Sequence, residues 1–348
     1  MGYDSDITAS SDAISDTTMS ANVELEYQRR AGLIGVNADF SYTVNRFVRN
    51  PSYDTDDPTF SLGFDKASGR TTGTLNFSAI RSSEADAVVN LYTTSWDYDT
   101  TLNVRYPIIS RYYFTGSFTY DYLDYTNTSG QPLVNLATYE SSLSLFYILS
   151  DERDLFVTYR YRFEQDSNDT STTDDALSLG VHGRVIWDIN GSLSAGYQAR
   201  NPQGVPPDGT AQQSQYADLT ANGSLSWNAT RKLALTGSVS RDYSTTPIAA
   251  TTDTTAATLA ATYTVREALS VGIGLGGGEN RFLGPGGLIT GTDEERLDYY
   301  FTWNASVSYK FNERLNAKLA YVYFEDWSNY AFAAFRRNTL SLSLSSRW

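Results

Sequence analysis

The chain reads as an all-β protein, a transmembrane up-and-down antiparallel β-barrel of about 18 strands with short periplasmic turns and long extracellular loops. Three observations predict this. Apolar and polar residues alternate along most of the sequence, short and long connections take turns, and the last residues are Leu340-Ser-Leu-Ser-Leu-Ser-Ser-Arg-Trp348. Successive side chains of a strand point to opposite faces. Leu340, Leu342, Leu344 and Trp348 therefore share one side, and Ser341, Ser343, Ser345 and Arg347 the other. A terminal aromatic suits a strand that ends at a lipid interface, where barrels carry aromatic girdles.

The alternation can be followed from the N-terminus. Gly2–Ser10, with Tyr3, Ile7 and Ala9 in phase, predicts a first ascending strand. Met19, Ala21, Val23, Leu25 and Tyr27 then alternate with Ser20, Asn22, Glu24 and Glu26. Ile34, Val36, Ala38, Phe40 and Tyr42 oppose Asn37, Asp39 and Ser41, and Tyr98, Leu102, Val104 and Tyr106 oppose Asp97, Asp99, Asn103 and Arg105. Leu155, Val157, Tyr159 and Tyr161 oppose Thr158, Arg160 and Arg162, and Leu297 through Tyr309 opposes Asp298 through Lys310. Period 2 fits each of these windows better than the 3.6 of a helix.

Short connections are predicted at 30–32, 68–70, 107–111, 150–153, 188–190, 228–232, 266–268 and 311–314. Long polar ones are predicted near 48–58, 82–93, 126–135, 166–175, 201–214, 243–253, 283–295 and 326–336. That regular exchange marks an up-and-down barrel, whereas Greek-key crossovers of a sandwich would break it. Several short turns share a pattern in which an aromatic ends one strand and a Leu opens the next, as in Tyr309-Lys-Phe-Asn-Glu-Arg-Leu315. Tyr27, Tyr106, Tyr147, Trp227, Tyr263 and Tyr309, with Trp348, are thus predicted to form an aromatic girdle at the lipid interface. No linker or shift in composition divides the chain, which predicts one barrel domain over residues 1–348.

Composition narrows the class. No run approaches the roughly eighteen apolar residues of a spanning helix, and 26 Tyr and 16 Phe favour strands. The absence of cysteine excludes disulfides, thiolate metal sites and a Cys nucleophile. A net charge of −14 argues against nucleic acid and anionic lipid surfaces as partners. Met1-Gly2-Tyr3 runs into polar sequence with no signal peptide, so an exported protein would be a mature form with an added initiator Met.

Gly2-Tyr-Asp-Ser-Asp-Ile7, the Ser-Gly-Arg turn at 68–70, Phe146-Tyr-Ile-Leu-Ser-Asp-Glu-Arg-Asp-Leu155 and the terminal Leu-Ser-Leu-Ser-Leu run carry a resemblance. In these features the chain resembles the outer-membrane β-barrel porins associated with exopolysaccharide gene clusters, over essentially its whole length. The resemblance implies an architecture and a location in the outer membrane of a Gram-negative cell. It brings no catalytic positions with it.

The polar phase supplies the candidate lumen. Acids gather early, at Glu24, Glu26, Asp39, Asp65, Asp97, Asp99 and Asp121; bases gather later, at Arg160, Arg162, Arg184 and Arg200, then Lys310, Lys318 and Arg347. On a closed barrel these would be facing walls, with a transverse field that favours polar or zwitterionic solutes. The plainer alternative is that each charge pairs with a cross-strand neighbour, as Arg105 would with Asp97 or Asp99. Tyr113 and Tyr300 share the polar phase and could stack on sugars. His182 is predicted to face the lumen near Ser178 and Ser194, a weak hint of hydrolase chemistry. No metal or cofactor motif is present: Gly276–Gly287 lacks the Lys-Ser/Thr of a phosphate loop and reads as a flexible extracellular loop. Asp54, Asp56 and Asp57, and Asp166, Asp169, Asp174 and Asp175, read as acidic loops with some capacity for divalent cations.

The functional expectation is a non-enzymatic outer-membrane porin that lets polar solutes or saccharides pass. Its alternatives are a dedicated exopolysaccharide export port and a closed structural or adhesive barrel. The expected partners are outer-membrane lipid and lipopolysaccharide, the barrel assembly machinery through the C-terminal strand, and polysaccharide export components.

Overall fold

A computed structural model describes residues 1–126, 133–203, 215–284, 287 and 294–347. Trp348, placed in the girdle by the sequence, lies outside the described residues. Eighteen strands follow one another: β1 (Gly2–Asp4), β2 (Asp16–Ala31), β3 (Ile34–Phe47), β4 (Thr55–Lys66), β5 (Thr72–Asp86), β6 (Leu91–Ile109), β7 (Tyr112–Tyr125), β8 (Leu136–Ser150) and β9 (Arg153–Asp166). The second half continues with β10 (Ser171–Ile186), β11 (Ile189–Gln203), β12 (Tyr216–Asn228), β13 (Leu233–Thr245), β14 (Thr251–Arg266), β15 (Leu269–Leu283), β16 (Leu297–Lys310), β17 (Leu315–Ser328) and β18 (Phe335–Ser346). Each strand pairs antiparallel with its sequence neighbours, and β1 closes the ring by pairing with both β18 and β2. Along β1, this pairing satisfies backbone groups that an open edge would leave unpaired.

The apolar phase faces outward. Leu25, Leu177, Leu179, Leu259 and Leu344 are all more than half exposed, although each sits in the middle or lower part of a strand. Among the described residues no helix is long and apolar enough to cross a membrane; the strands are what cross. The buried core is inside the barrel toward the long-loop end, where Ile7, Ala9, Val89, Phe282 and Ala333 are almost inaccessible.

Several expected boundaries move. The first strand ends at Asp4 rather than Ser10. Asp6 turns the chain by accepting bonds from the Thr8 and Ser10 amides at 3.1 Å each, and Ile7 and Ala9 face inward instead of toward lipid. Three connections expected to be long are tight: Ala87–Asn90, 167–170 and 246–250. The reason is strand length. β6 has 19 residues and β10 has 16, against the roughly 9–11 needed to cross hydrocarbon. The surplus projects beyond the bilayer, is wetted on both faces and so reads as loop in the sequence. For the same reason Asp174 and Asp175 lie in β10, and Gly276, Gly277 and Gly278 lie in β15, not in loops.

At the other rim, Gly32 (φ +62°) opens the two-residue turn between β2 and β3, a backbone that suits glycine. β1 reaches only part of the way down the seam. Tyr3 stands opposite both Leu340 and Thr17, and Met1 exchanges backbone bonds with Leu342 at 3.1 and 2.9 Å. From Met19 to Ala31, β2 pairs with β3 alone among the described residues.

Candidate functional site

The lumen is lined by the polar phase of the strands, and its composition changes around the ring. β2, β3, β6 and β7 turn Glu24, Glu26, Asp39, Asp97, Asp99 and Asp121 inward, opposite in phase to the exposed Val23, Leu25, Phe40, Tyr98 and Phe118. Asp99 and Asp121 are direct cross-strand neighbours, an arrangement of like charges. Asp99 accepts a hydrogen bond from the Thr101 hydroxyl at 3.1 Å, and Asp39 accepts one from Ser61 at 3.1 Å. Glu26 reaches across the seam to Arg347 at 3.1 Å. No described base lies within ion-pair distance of Asp97, Asp99 or Asp121.

The bases do not form the expected opposing wall. Arg160, Arg162 and Arg200, on β9 and β11, converge with acids from β9, β10 and β13. Arg160 makes a two-pronged pair with Asp242 at 2.6 and 2.8 Å. Arg162 bonds Asp174 at 2.8 Å and Asp242 at 3.1 Å. Arg200, fully buried, holds Asp174 at 2.8 Å and Glu164 at 2.6 Å. Glu140 adds a fourth carboxylate 3.9 Å from Arg160, so the positive charge of the three arginines is fully neutralised. The plainer alternative, pairing with a cross-strand neighbour, describes Asp174 beside Arg162 and Arg200, whereas Asp242 reaches Arg160 and Arg162 from four strands away; in both cases a charge taken out of water requires a partner. Arg184 is a rim residue rather than a wall residue: it pairs with Glu152 at 2.6 Å and with Asp188 at the short-turn end. Lys310 is also at that rim, while Lys318 is exposed with no ion pair among the described residues.

Arg105 differs from both expectations for it. It stacks 3.9 Å above the Tyr113 ring instead of pairing with Asp97 or Asp99. Tyr113 is thereby removed from the sugar-stacking role: it is buried, packs on Phe146 at 4.6 Å and donates its hydroxyl to Asp154 at 2.6 Å. Tyr300 is half-buried, stacked on Phe324 at 5.9 Å. His182 faces Phe146 edge-on at 6.4 Å. It makes no hydrogen bond to Ser178 or Ser194 among the described residues; Ser194 donates instead to the Asn222 carbonyl at 3.2 Å. In the loop after β3, Asp54 accepts from the Phe47 amide at 2.7 Å, whereas Asp56 and Asp57 lie in β4, where Asp56 pairs with Arg46 at 2.8 Å.

Outside, Tyr27, Tyr106, Trp227 and Tyr263 are exposed, and Tyr147 and Tyr309 half-buried, each within four residues of the short-turn end of its strand. Turn arginines lie on three of them. Arg70 sits 4.8 Å over Tyr106, Arg266 lies 5.8 Å from the Tyr309 ring, and Arg111 donates to the Tyr147 hydroxyl at 3.3 Å. Trp187, 84% exposed with φ +46°, occupies the β10–β11 turn. Strand periodicity misses it because it belongs to the turn.

The long-loop mouth is spanned from wall to wall. Arg296, just before β16, donates to the carbonyls of Val88 at 2.7 Å and Ala87 at 3.3 Å, and to Asn90 Oδ1 at 3.3 Å. Asn90 in turn donates to the carbonyls of Ala9 at 2.9 Å and Ala333 at 3.4 Å. On the ring, the β5–β6 turn lies nearly opposite Arg296. A second crossing joins the Val134 amide to the Pro247 carbonyl at 2.8 Å. None of Asn90, Asp242 or Arg296 stands out in the sequence. Their roles come from contacts eighty or more residues away, which no local pattern encodes.

A polar, water-lined interior inside an apolar, lipid-facing wall is the geometry of a barrel channel. Residues 187–347 match the family described as Putative beta-barrel porin 2. The porin match thus takes in the strands from β11 to β18. No curated protein matches the chain. Among solved structures, the FrpB iron transporter from Neisseria meningitidis is similar at a TM-score of 0.56 and 10% identity, over 100% of this chain and 66% of that one. FpvA of P. aeruginosa bound to heterologous pyoverdines gives 0.55 and 8%, over 100% and 58%. The ferric citrate transporter FecA gives 0.51 and 12%, over 98% and 62%. The chain therefore spans less than two thirds of the length of these proteins, and the likeness is one of fold.

Proposed function

We propose that the protein is an outer-membrane channel that passes small polar solutes, saccharides among them, through a lumen open at the short-turn end and gated at the long-loop mouth. The observation that carries this reading is the lumen itself, wetted along Glu24, Glu26, Asn103 and Lys318 and closed above by the Arg296–Asn90 crossing. Because the arginine cluster is neutralised, the remaining field comes from Asp97, Asp99, Asp121 and their acidic neighbours. Such a lumen concentrates cations and repels anions. The lipid-facing partner is the outer membrane, met by the exposed leucines and the aromatic residues at the short turns.

Reconstitution in a planar bilayer tests the reading. Under a KCl gradient the reversal potential should have the sign of cation preference, and a sugar series should reduce the current in order of size. Opening events should become more frequent in Arg296→Ala. A silent bilayer with both proteins, each shown to be inserted, would leave a structural barrel; anion preference would remove the acid-wall argument. Export of an exopolysaccharide chain is a narrower form of the same reading, and blocking by long but not short saccharides would favour it.

A further inference from the structure

Beside the mouth crossing lies a carboxyl group that no cation pairs. Asp326 is 3% exposed, yet neither of its oxygens makes a hydrogen bond or ion pair among the described residues, and Oδ1 is sealed from water. It is the twelfth residue of β17 counted from the short turn, past the roughly 9–11 that cross hydrocarbon. It therefore belongs to the mouth. β17 pairs with β16 so that Asp326 stands opposite Tyr300, and Asp298 opposite Ser328. The two aspartates are thus diagonal neighbours on the lumenal face, with backbones roughly 7–8 Å apart. Asp298 is already taken: Arg296 binds it at 3.1 Å through Nε and at 2.6 Å through a terminal nitrogen. The same guanidinium donates across the barrel to the Ala87 and Val88 carbonyls and to Asn90. Other charges around Asp326 are engaged elsewhere. Arg337 on β18 is held by Asp4 at 2.6 Å, and Asp86, at the foot of the β5–β6 turn, accepts from the Val88 amide at 2.7 Å. Asp6 accepts from the Thr8 and Ser10 amides, and Glu325 and Arg336, on the opposite face of the wall, pair with each other. Across β18, Asp326 faces the uncharged Phe335. A buried carboxyl without a partner keeps its proton, because its charged form has lost its water. Burial pushes Asp326 up to about 7; Asp298 adds to the rise and Arg296 opposes it.

We propose that Asp326 is a proton-operated catch for the long-loop mouth, which stays shut while this carboxyl is neutral and is released when it ionises. The inference rests on the channel reading and adds regulation to it. Ionisation sets two carboxylates beside one arginine in a sealed site. The second carboxylate draws the Arg296 guanidinium toward the β16–β17 wall and away from the Ala87 and Val88 carbonyls. Its own buried charge is relieved when opening admits water. The closed mouth binds the proton more tightly than an open one, in which water returns the carboxyl toward its ordinary 3.8. Acid therefore favours closure, and that advantage is lost as the pH climbs from about 4 to about 7.

The chain has no cysteine, so Val89→Cys, in the β5–β6 turn at a position 4% exposed, reports access to the mouth without requiring conductance. Its alkylation by a charged maleimide is followed in the purified full chain in detergent at acid and at mildly alkaline pH. Each rate is divided by that of the same cysteine in the Asp326→Asn background, which cancels the ionisation of the thiol. The ratio should rise at least about tenfold between about pH 5 and about pH 8, as one proton linked to opening requires. In planar bilayers the opening frequency of the parent should rise over the same range, while that of Asp326→Asn stays at the low acid value. Heat-modifiable mobility on gels verifies that each variant is folded. A flat ratio, or a pH dependence of opening that survives Asp326→Asn, would overturn the catch. A channel that conducts with either of those results leaves the channel reading intact, whereas a silent bilayer with a rising ratio removes the channel and leaves the catch.

Discussion

Two stretches of the lumenal wall carry most of the charge, and they are built in opposite ways. In the β9–β13 sector Arg160, Arg162 and Arg200 each have a carboxylate, and Arg162 and Arg200 are buried with Glu164 and Asp174. On β6 and β7, Asp97, Asp99 and Asp121 crowd together with no described base in reach. The contrast separates structure from function. Ion pairs buried in the first sector fix how the wall folds inward; unpaired acids in the second leave a field that solutes can feel. Charge in a sequence carries no label to say which of the two it will become.

The largest effect should follow from breaking the paired sector. Arg200→Ala leaves the buried Glu164 and Asp174 with Arg162 as their one remaining cation, and should cost about 3–5 kcal/mol, as removal of one member of a buried pair does. Reversible urea unfolding in detergent measures it, and a loss below about 1 kcal/mol would mean that water reaches the cluster. Next in size is a change on the opposite face of the wall: Leu259→Arg places a charge against lipid and should cost about 2–4 kcal/mol if that position lies near the bilayer midplane. The same measurement in the same lipid checks it, and a negligible cost would place Leu259 near an interface.

Smaller still is the mouth. Arg296→Ala removes several bonds to carbonyls across the barrel and should raise the frequency of opening about tenfold, or about 1.4 kcal/mol. Single-channel records give the number, and an unchanged frequency would show that the Val134–Pro247 crossing holds the mouth shut alone. The smallest change in stability belongs to the acid wall. Asp99→Asn should alter stability by less than about 1 kcal/mol, in the stabilising direction, because it relieves a like-charge cross-strand contact. Asp97, Asp99 and Asp121 replaced together by Asn should nevertheless move the reversal potential toward zero. This variant sharpens the comparison most, since it separates effects on folding from effects on selectivity.

Much of the fold was legible in the sequence because a barrel in lipid uses one strong rule repeatedly. The 2-residue period set the lipid face at Leu25, Tyr159 and Leu342, and the short turns appear where they were expected. Strand ends at the long-loop side were harder. Thr172, Asp174 and Ser244 lie in strand, but the wetted part of a strand has no apolar phase to reveal it. Legibility of the site was lower. The polar-phase acids could be placed in the lumen, whereas Asp242, eighty residues after Arg162, could not be recognised as its partner, nor Tyr113 as the support of Arg105.

The sequence by itself determined the number of strands, their alternation and which face meets lipid, because those depend on neighbours two residues apart. Only the tertiary structure decided which charges cancel, where the mouth is crossed and which buried acid, Asp326, stays unpaired. These depend on the curvature of a closed wall, which brings strands four or more places apart in the ring within reach of a single arginine, and no local pattern of residues records that distance.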